Sequence, residues 1–249
     1  MQMQNPKNKV CDRFNRAAKS YDTLCQVQNN ICDLAIQMLR RYSSNFNIVV
    51  DMACGTGEST KKIVEQLNIA TCFAVDFSSA MLDMAKNKLS TSKISWLCCD
   101  YATRINVLHQ TDLIFCNMGL QWAEDLSSVL QNWRNYLTPH GIIIYTVPLQ
   151  NNFPEIKDNY KTKFLSHAEN IALLQQSGWE VMATELYKES LEFTDCKSIF
   201  RYLQLTGVNC NKLHYNCQGL RKNKLTDFLI SPQVNTLNFS VGIYMARKI

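Results

Sequence analysis

Val49-Val50-Asp51-Met52-Ala53-Cys54-Gly55-Thr56-Gly57 decides how the rest of the chain is read. Its apolar first half predicts a buried strand over Asn47–Ala53. Its second half is built of small residues that let a ligand approach the backbone. A helical pattern then runs over Gly57–Leu67, with Ser59 and Thr60 near its start, and its first turn presents N–H groups that lack intrahelical partners. Alone, such a loop is a weak signal, because nucleotide-binding folds of several kinds have one.

Outward from the loop, short apolar runs alternate with helical patterns. Toward the N-terminus, Val10–Arg41 reads as two helical pieces broken near Ser20-Tyr21-Asp22. Toward the C-terminus, strands are expected over Ala70–Asp76, Lys93–Asp100, Asp112–Asn117 and Ile142–Val147. Helices are expected over Ser78–Leu89, with Ser78 as N-cap, and over Glu124–Leu137, and Thr138-Pro139-His140-Gly141 reads as a turn. This rhythm implies right-handed βαβ units and a parallel sheet covered on both faces, an α/β doubly wound fold. In the last third, a helix over Ser166–Ser177 ends at Gly178, a long strand covers Trp179–Phe193, Asp195–Leu205 is helical, and Leu237–Arg247 is a final strand. Between them Thr206–Val234 is polar and weakly patterned, which suits either a lid or a plain surface excursion.

Two acids make the glycine loop specific. Asp76 closes the second strand, where a carboxylate can accept both hydroxyls of a ribose. Asp100 closes the third, where a carboxylate can accept an exocyclic amine. With Asp51, all three lie at carboxyl ends of expected parallel strands, the edge at which open α/β sheets bind ligands. Any one of them could simply cap the helix that follows; three beside a glycine loop argue for a site.

The run D-x-A-x-G-x-G from Asp51 to Gly57, followed by Asp76, Asp100 and Asp112-Leu113-Ile114-Phe115-Cys116-Asn117, resembles the class I S-adenosylmethionine (SAM)-dependent methyltransferases. That resemblance implies a Rossmann-like seven-stranded sheet with its last strand antiparallel, a place filled by Leu237–Arg247. It implies SAM as cofactor, with Asp51 near the amino-acid end and Asp76 on the ribose. Asp100 and Tyr101 would flank the adenine, and Asn117 would lie close to the sulfonium. Phe77 and Met81 complete the implied cofactor set with Ala53, Gly55 and Gly57. Ala53 departs from the family, which usually has glycine there; an alanine is harmless in extended backbone and strained at positive φ.

The acceptor must be read from other segments. Arg13–Asp22 with Gln26-Val27-Gln28, Asn117-Met118-Gly119-Leu120-Gln121-Trp122, and Thr146–Tyr160 resemble the malonyl-[acyl-carrier protein] O-methyltransferases of biotin synthesis. Quinone- and tRNA-type relatives share parts of the first two segments. The implied substrate is a malonyl thioester on acyl carrier protein or on coenzyme A. Its carboxylate is ionised at pH 7 and attacks without a general base; no acid–base pair stands out beyond the cofactor acids. Tyr21 is the candidate hydroxyl donor to that carboxylate, Gln121 and Trp122 the candidate pocket wall. Lys157, where the family more often has arginine, is the candidate cationic anchor. Each has a plainer reading: a packed tyrosine, a core tryptophan, a solvated lysine. A carrier protein is acidic, so a basic mouth is expected, with Arg13, Arg16, Lys19, Arg201, Arg221, Lys222 and Lys224 as candidates.

Composition bounds these readings. With 249 residues, 46% of them apolar, the chain suffices for one sizeable domain. The expected division is an N-terminal helical cover over 1–42, a SAM-binding core over 43–149, and acceptor-side elements over 150–249 with an insertion near 195–234. A net charge of +5 without a Lys/Arg run gives no reason to expect nucleic acid. Eleven cysteines without a C-x-x-C pair, and four scattered histidines, assemble no zinc site and suit a reducing compartment. Met1–Val10 is polar, and no apolar run approaches the roughly 18 residues of a membrane span, so a cytoplasmic place is expected. Two alternatives stay open: a SAM methyltransferase with another small acceptor, and a SAM-binding subunit without turnover.

Overall fold

Strand residues alternate between two faces, and when both faces are apolar both must be covered by helices. The computed structural model of the chain, which describes residues 6–206, 228–231 and 233–249 (backbone only for 6–9 and 19), meets this requirement with one seven-stranded sheet. The strands are β1 (Asn45–Met52), β2 (Asn68–Asp76), β3 (Ile94–Cys98), β4 (Thr111–Asn117), β5 (Leu137–Pro148), β6 (Trp179–Glu192) and β7 (Thr236–Lys248). They lie in the order β3-β2-β1-β4-β5-β7-β6. The first five pair in parallel, and β7 runs antiparallel to both β5 and β6. The helices are α1 (Pro6–Tyr21), α2 (Gln26–Tyr42), α3 (Glu58–Gln66), α4 (Ser79–Lys88), α5 (Leu126–Arg134), α6 (His167–Gln176) and α7 (Cys196–Thr206).

Alternation sorts the core. Val50, Met52, Ile114, Cys116, Ile143 and Tyr145 pack on Leu130 and Trp133 of α5, Leu174 of α6 and Trp179. Val49, Leu113, Phe115, Ile142 and Ile144 face the other way, onto Ile36 and Leu39 of α2, Ile63 of α3 and Leu82 of α4. A third cluster joins Val27 and Ile31 of α2 to Ile199 and Leu203 of α7, with Phe153 and Phe239. It fastens the N-terminal cover to the C-terminal third.

Helix ends follow local chemistry. Ser78 accepts from Met81 N–H at the start of α4, and Ser166 and Glu169 form a reciprocal capping box on α6. Asp125 caps α5, so that helix begins later than Glu124, and it ends before Leu137, which belongs to β5. Thr138–Gly141 is corrected from a turn to part of β5. Leu137 pairs with Thr111 and Ile142 with Leu113, so residues 138–141 bulge opposite Asp112 alone while the strand continues. Most of the Thr206–Val234 segment lies outside the described residues, and so does its reading as a lid.

Gly57 links β1 to α3 at φ +86°, and a Cβ there would stand 2.9 Å from the Ala85 Cβ. Gly57→Ala should lower unfolding stability by about 1–3 kcal/mol, from backbone strain plus overpacking. Urea denaturation reads this directly; an unchanged midpoint would show that the α3–α4 contact is loose.

Candidate active site

The loop after β1 turns through left-handed backbone three times in five residues: Ala53 at φ 57°, Gly55 at 55° and Gly57 at 86°. Such a path holds only when its N–H groups are tied down. The Cys54 N–H donates to the Val75 carbonyl at 3.0 Å, and the Gly55 N–H to Asp76 Oδ2 at 2.9 Å. Asp76 Oδ1 accepts from the Ser78 N–H at 2.8 Å, so this carboxylate fixes the loop and the start of α4 together. A Cβ on Gly55 would meet nothing within 4 Å, so the loop backbone is open to a ligand at that residue.

Asp51 stands beneath the loop, with no exposure. Strand alternation puts it on the Val49 face, toward α3, where its Oδ2 accepts from Ser59 Oγ at 2.7 Å and Thr60 Oγ1 at 2.6 Å. Its Oδ1 is buried and has no hydrogen-bond partner. Burial pushes the Asp51 carboxyl up to about 7, countered by the two hydroxyls, and pushes Asp76 up to about 6 against its backbone donors. Asp51 is therefore placed as the support of the loop and does not line the cavity above it.

That cavity, about 330 Å³, lies at the carboxyl ends of β1, β2, β3 and β4. Ala53, Gly55, Asp76, Phe77, Met81, Asp100, Tyr101, Asn117, Gln121, Trp122 and Tyr21 all line it, so most of the residues expected at the site converge. Gly57 serves packing at the loop's far end. Asp100 sits two residues past β3, its Oδ1 accepting from the Ala102 N–H at 2.8 Å. The Tyr101 hydroxyl donates to the Gly119 carbonyl at 3.0 Å. Asn117 spends its side chain on the scaffold. Its Nδ2 donates to the Gln28 carbonyl of α2 at 3.0 Å, and its Oδ1 accepts from Thr146 Oγ1 at 2.8 Å.

Ala53 is the irregularity. Its positive φ carries the strain foreseen for an alanine, and Gly119 leaves room for its methyl group: a Cβ on Gly119 would stand 2.5 Å from the Ala53 Cβ.

On the acceptor side, α1 supplies the roof. The Phe14 ring packs edge-on against Tyr21, Phe77 and Trp122, at centroid distances of 6.1, 6.2 and 5.7 Å. Phe14 is not among the residues expected at the site, although Phe14 and Tyr21, seven residues apart in one helix, share a face. The Tyr21 phenol lies beside the Cys25 thiol, and burial holds it well above the usual range, so it remains a protonated donor. Gln121 donates to the Met118 carbonyl at 2.6 Å, leaving its Oε1 buried without a partner. Thr56 bonds to Asp22, and Lys88 bridges Asp22 and Glu58, latching the α1–α2 turn onto the cofactor loop.

Lys157 is not brought to the cavity: it is exposed, and its backbone N–H donates to the Phe228 carbonyl at 2.9 Å. Thr162 and Lys163 line the wall instead. Of the expected basic mouth, Arg16 and Arg201 are exposed, and Arg13 keeps one buried guanidinium nitrogen without a partner. Arg221, Lys222, Lys224 and the Lys19 side chain lie outside the described residues. Among the described residues no group of three or more His, Cys, Asp or Glu side chains could hold a metal, and no helix is long and apolar enough to cross a membrane.

A sheet of this order, with an open left-handed loop after β1 and acids closing β2 and following β3, defines a SAM-dependent methyltransferase, and residues 49–141 match a family model described as a methyltransferase domain. Over all of this chain and 99% of its own length, a Coxiella burnetii protein named malonyl-[acyl-carrier protein] O-methyltransferase 2 is 30% identical. The chain belongs to that methyltransferase family. A malonyl-[acyl-carrier protein] O-methyltransferase of Bacillus anthracis is 31% identical over 60% of this chain and 56% of its own length. A SAM-dependent methyltransferase structure from Leishmania major superposes with a TM-score of 0.63 over 97% of this chain and 85% of that one. At 15% identity it speaks for the fold alone. SAM is the cofactor, and the open Gly55 backbone with the Asp76 and Asp100 carboxylates suits its ribose and adenine.

Ala53→Gly removes the positive-φ penalty and should raise stability by about 1 kcal/mol; a lower denaturation midpoint would show that the methyl contact with the Gly119 backbone outweighs the strain. Asp51 and Asp76 hold protons in the folded chain that the unfolded chain, with aspartates near 4, releases. Their contribution to stability is therefore lost as pH rises through 6 and 7. The thermal midpoint of the ligand-free protein should fall more steeply between pH 5 and 8 in the wild type than in Asp51→Asn; equal slopes would remove Asp51 from this role.

Proposed function

We propose that this enzyme transfers the methyl group of SAM to the free carboxylate of a malonyl thioester carried on acyl carrier protein. The observation that carries this is the full-length match to the Coxiella burnetii relative of that name. The cavity's chemistry supports it. Among the described residues no histidine lines the cavity, and beside the acids the acceptor side offers a protonated phenol, an amide, aromatic faces and the Lys163 ammonium. That set suits a nucleophile that arrives ionised, since a malonyl carboxylate has no proton to give up at pH 7.

SAM supplies an electrophilic methyl group on a positively charged sulfur, whose transfer to a carboxylate leaves a neutral ester and a neutral thioether. The chain's work is alignment and exclusion of water. Tyr21 donates to one carboxylate oxygen without protonating it, because burial keeps the phenol far from ionisation. Trp122, Phe14 and Phe77 form the apolar wall that keeps water from the reacting atoms. Gln121 contributes to the wall of the same space, its amide nitrogen tied to the Met118 carbonyl. Ala53, Gly55, Asp76, Phe77, Met81, Asp100 and Tyr101 are the cofactor's contacts, with Asp51, Gly57 and Asn117 holding them in place.

Purified protein incubated with methyl-labelled SAM and malonyl carrier protein should form a base-labile methyl ester. Label in a base-stable product, or none at all, contradicts the proposal. Tyr21→Phe should lower turnover about tenfold or more, the loss of one hydrogen bond to a charged group, while calorimetry finds SAM affinity unchanged; full turnover would remove Tyr21 from the mechanism.

A further inference from the structure

A carboxylate acceptor meets a difficulty in this cavity. Its described lining carries three acids, Asp76, Asp100 and Glu124, whose field opposes a further anion, so a protein cation at the acceptor's end adds to the pull of the SAM sulfonium. Among the described residues, Lys163 is the only lysine or arginine that lines the cavity. Its neighbours on the same segment are committed elsewhere: Lys161 pairs with Asp158 at 2.9 Å, and Lys157 is exposed away from the cavity. Lys163 makes no ion pair with any described residue.

Resting on the malonyl reading above, we propose that the Lys163 ammonium is the anchor for the acceptor's carboxylate, in the place the sequence suggested for Lys157. The backbone beside it is fixed. The Leu165 carbonyl accepts from the Gln150 N–H at 3.1 Å, and Ser166 caps α6, so the lysine stem leaves a held segment two residues away. Its exposed head is hydrated in the free enzyme and exchanges that water for the carboxylate. Once the acceptor covers the mouth, the pair is screened less and strengthens. A compact ammonium holds one carboxylate oxygen as a point charge and leaves the second free to attack; a guanidinium fork would engage both. Lysine thus meets both demands at once, charge for binding and a free oxygen for transfer.

The test compares Lys163→Met, Lys163→Arg and Lys157→Met in methyl transfer to malonyl carrier protein, with SAM affinity measured by calorimetry on each. Lys163→Met should raise KM for the acceptor about tenfold, the value of one charge-assisted contact, with SAM affinity unchanged. Lys163→Arg should bring KM back to within about threefold of wild type, since the charge is restored. Lys157→Met should behave as wild type. An unchanged KM in Lys163→Met, or the loss falling on Lys157→Met, overturns the anchor while leaving the malonyl reading intact. A wild type that forms no methyl ester overturns both.

Discussion

The site depends on one constraint: β1 must end in a left-handed backbone, and two buried carboxylates keep it there. Asp51 holds the first turn of α3 from below through Ser59 and Thr60, while Asp76 ties Gly55 to β2 from the side. Neither group is comfortable in its surroundings. Burial raises both, and Asp51 keeps one oxygen without a partner. A fold that accepts two such acids spends stability on a preorganised loop, a common pattern where backbone must be presented to a ligand. The rest of the sheet supplies the rigidity that makes this tolerable, since β1 is paired on both sides, by β2 and β4.

Above the loop, the cover made by α1 and α2 is joined to the sheet by contacts that also shape the cavity. Lys88 draws Asp22 and Glu58 together, Asn117 reaches the Gln28 carbonyl, and the Phe14 ring links Tyr21 to Trp122. The residues that close the acceptor side are thus the ones that dock the helices. Acceptor binding and cover stability are linked in consequence, and loss of the Phe14 or Tyr21 ring acts on both.

The strand–helix rhythm was legible because short apolar runs alternate with helical patterns from Asn47 to Asn117, and the antiparallel place of β7 came from family resemblance. Thr138–Gly141 misled because proline and glycine mark turns locally, yet pairing of β5 with β4 on either side outweighs that preference. The face of Asp51 was available in the sequence: it shares strand parity with Val49, and so points toward α3. Lys157 and Lys163 were not separable by pattern. They lie in an irregular segment whose course is set by distant partners, the bridge from Ile156 to Leu229 and the bond from Gln150 to Leu165. Phe14 sat inside a segment already singled out, and only the packing shows that its ring is the hub of the roof.

Calorimetric titration of SAM into the wild type and Asp76→Ala tests the central claim, that the carboxylate at the end of β2 both sets the loop and receives the cofactor. Saturable one-to-one binding to the wild type is expected, and an affinity at least about tenfold weaker in Asp76→Ala, with the variant's circular dichroism still that of a folded α/β protein. Equal affinities in two folded proteins would contradict it.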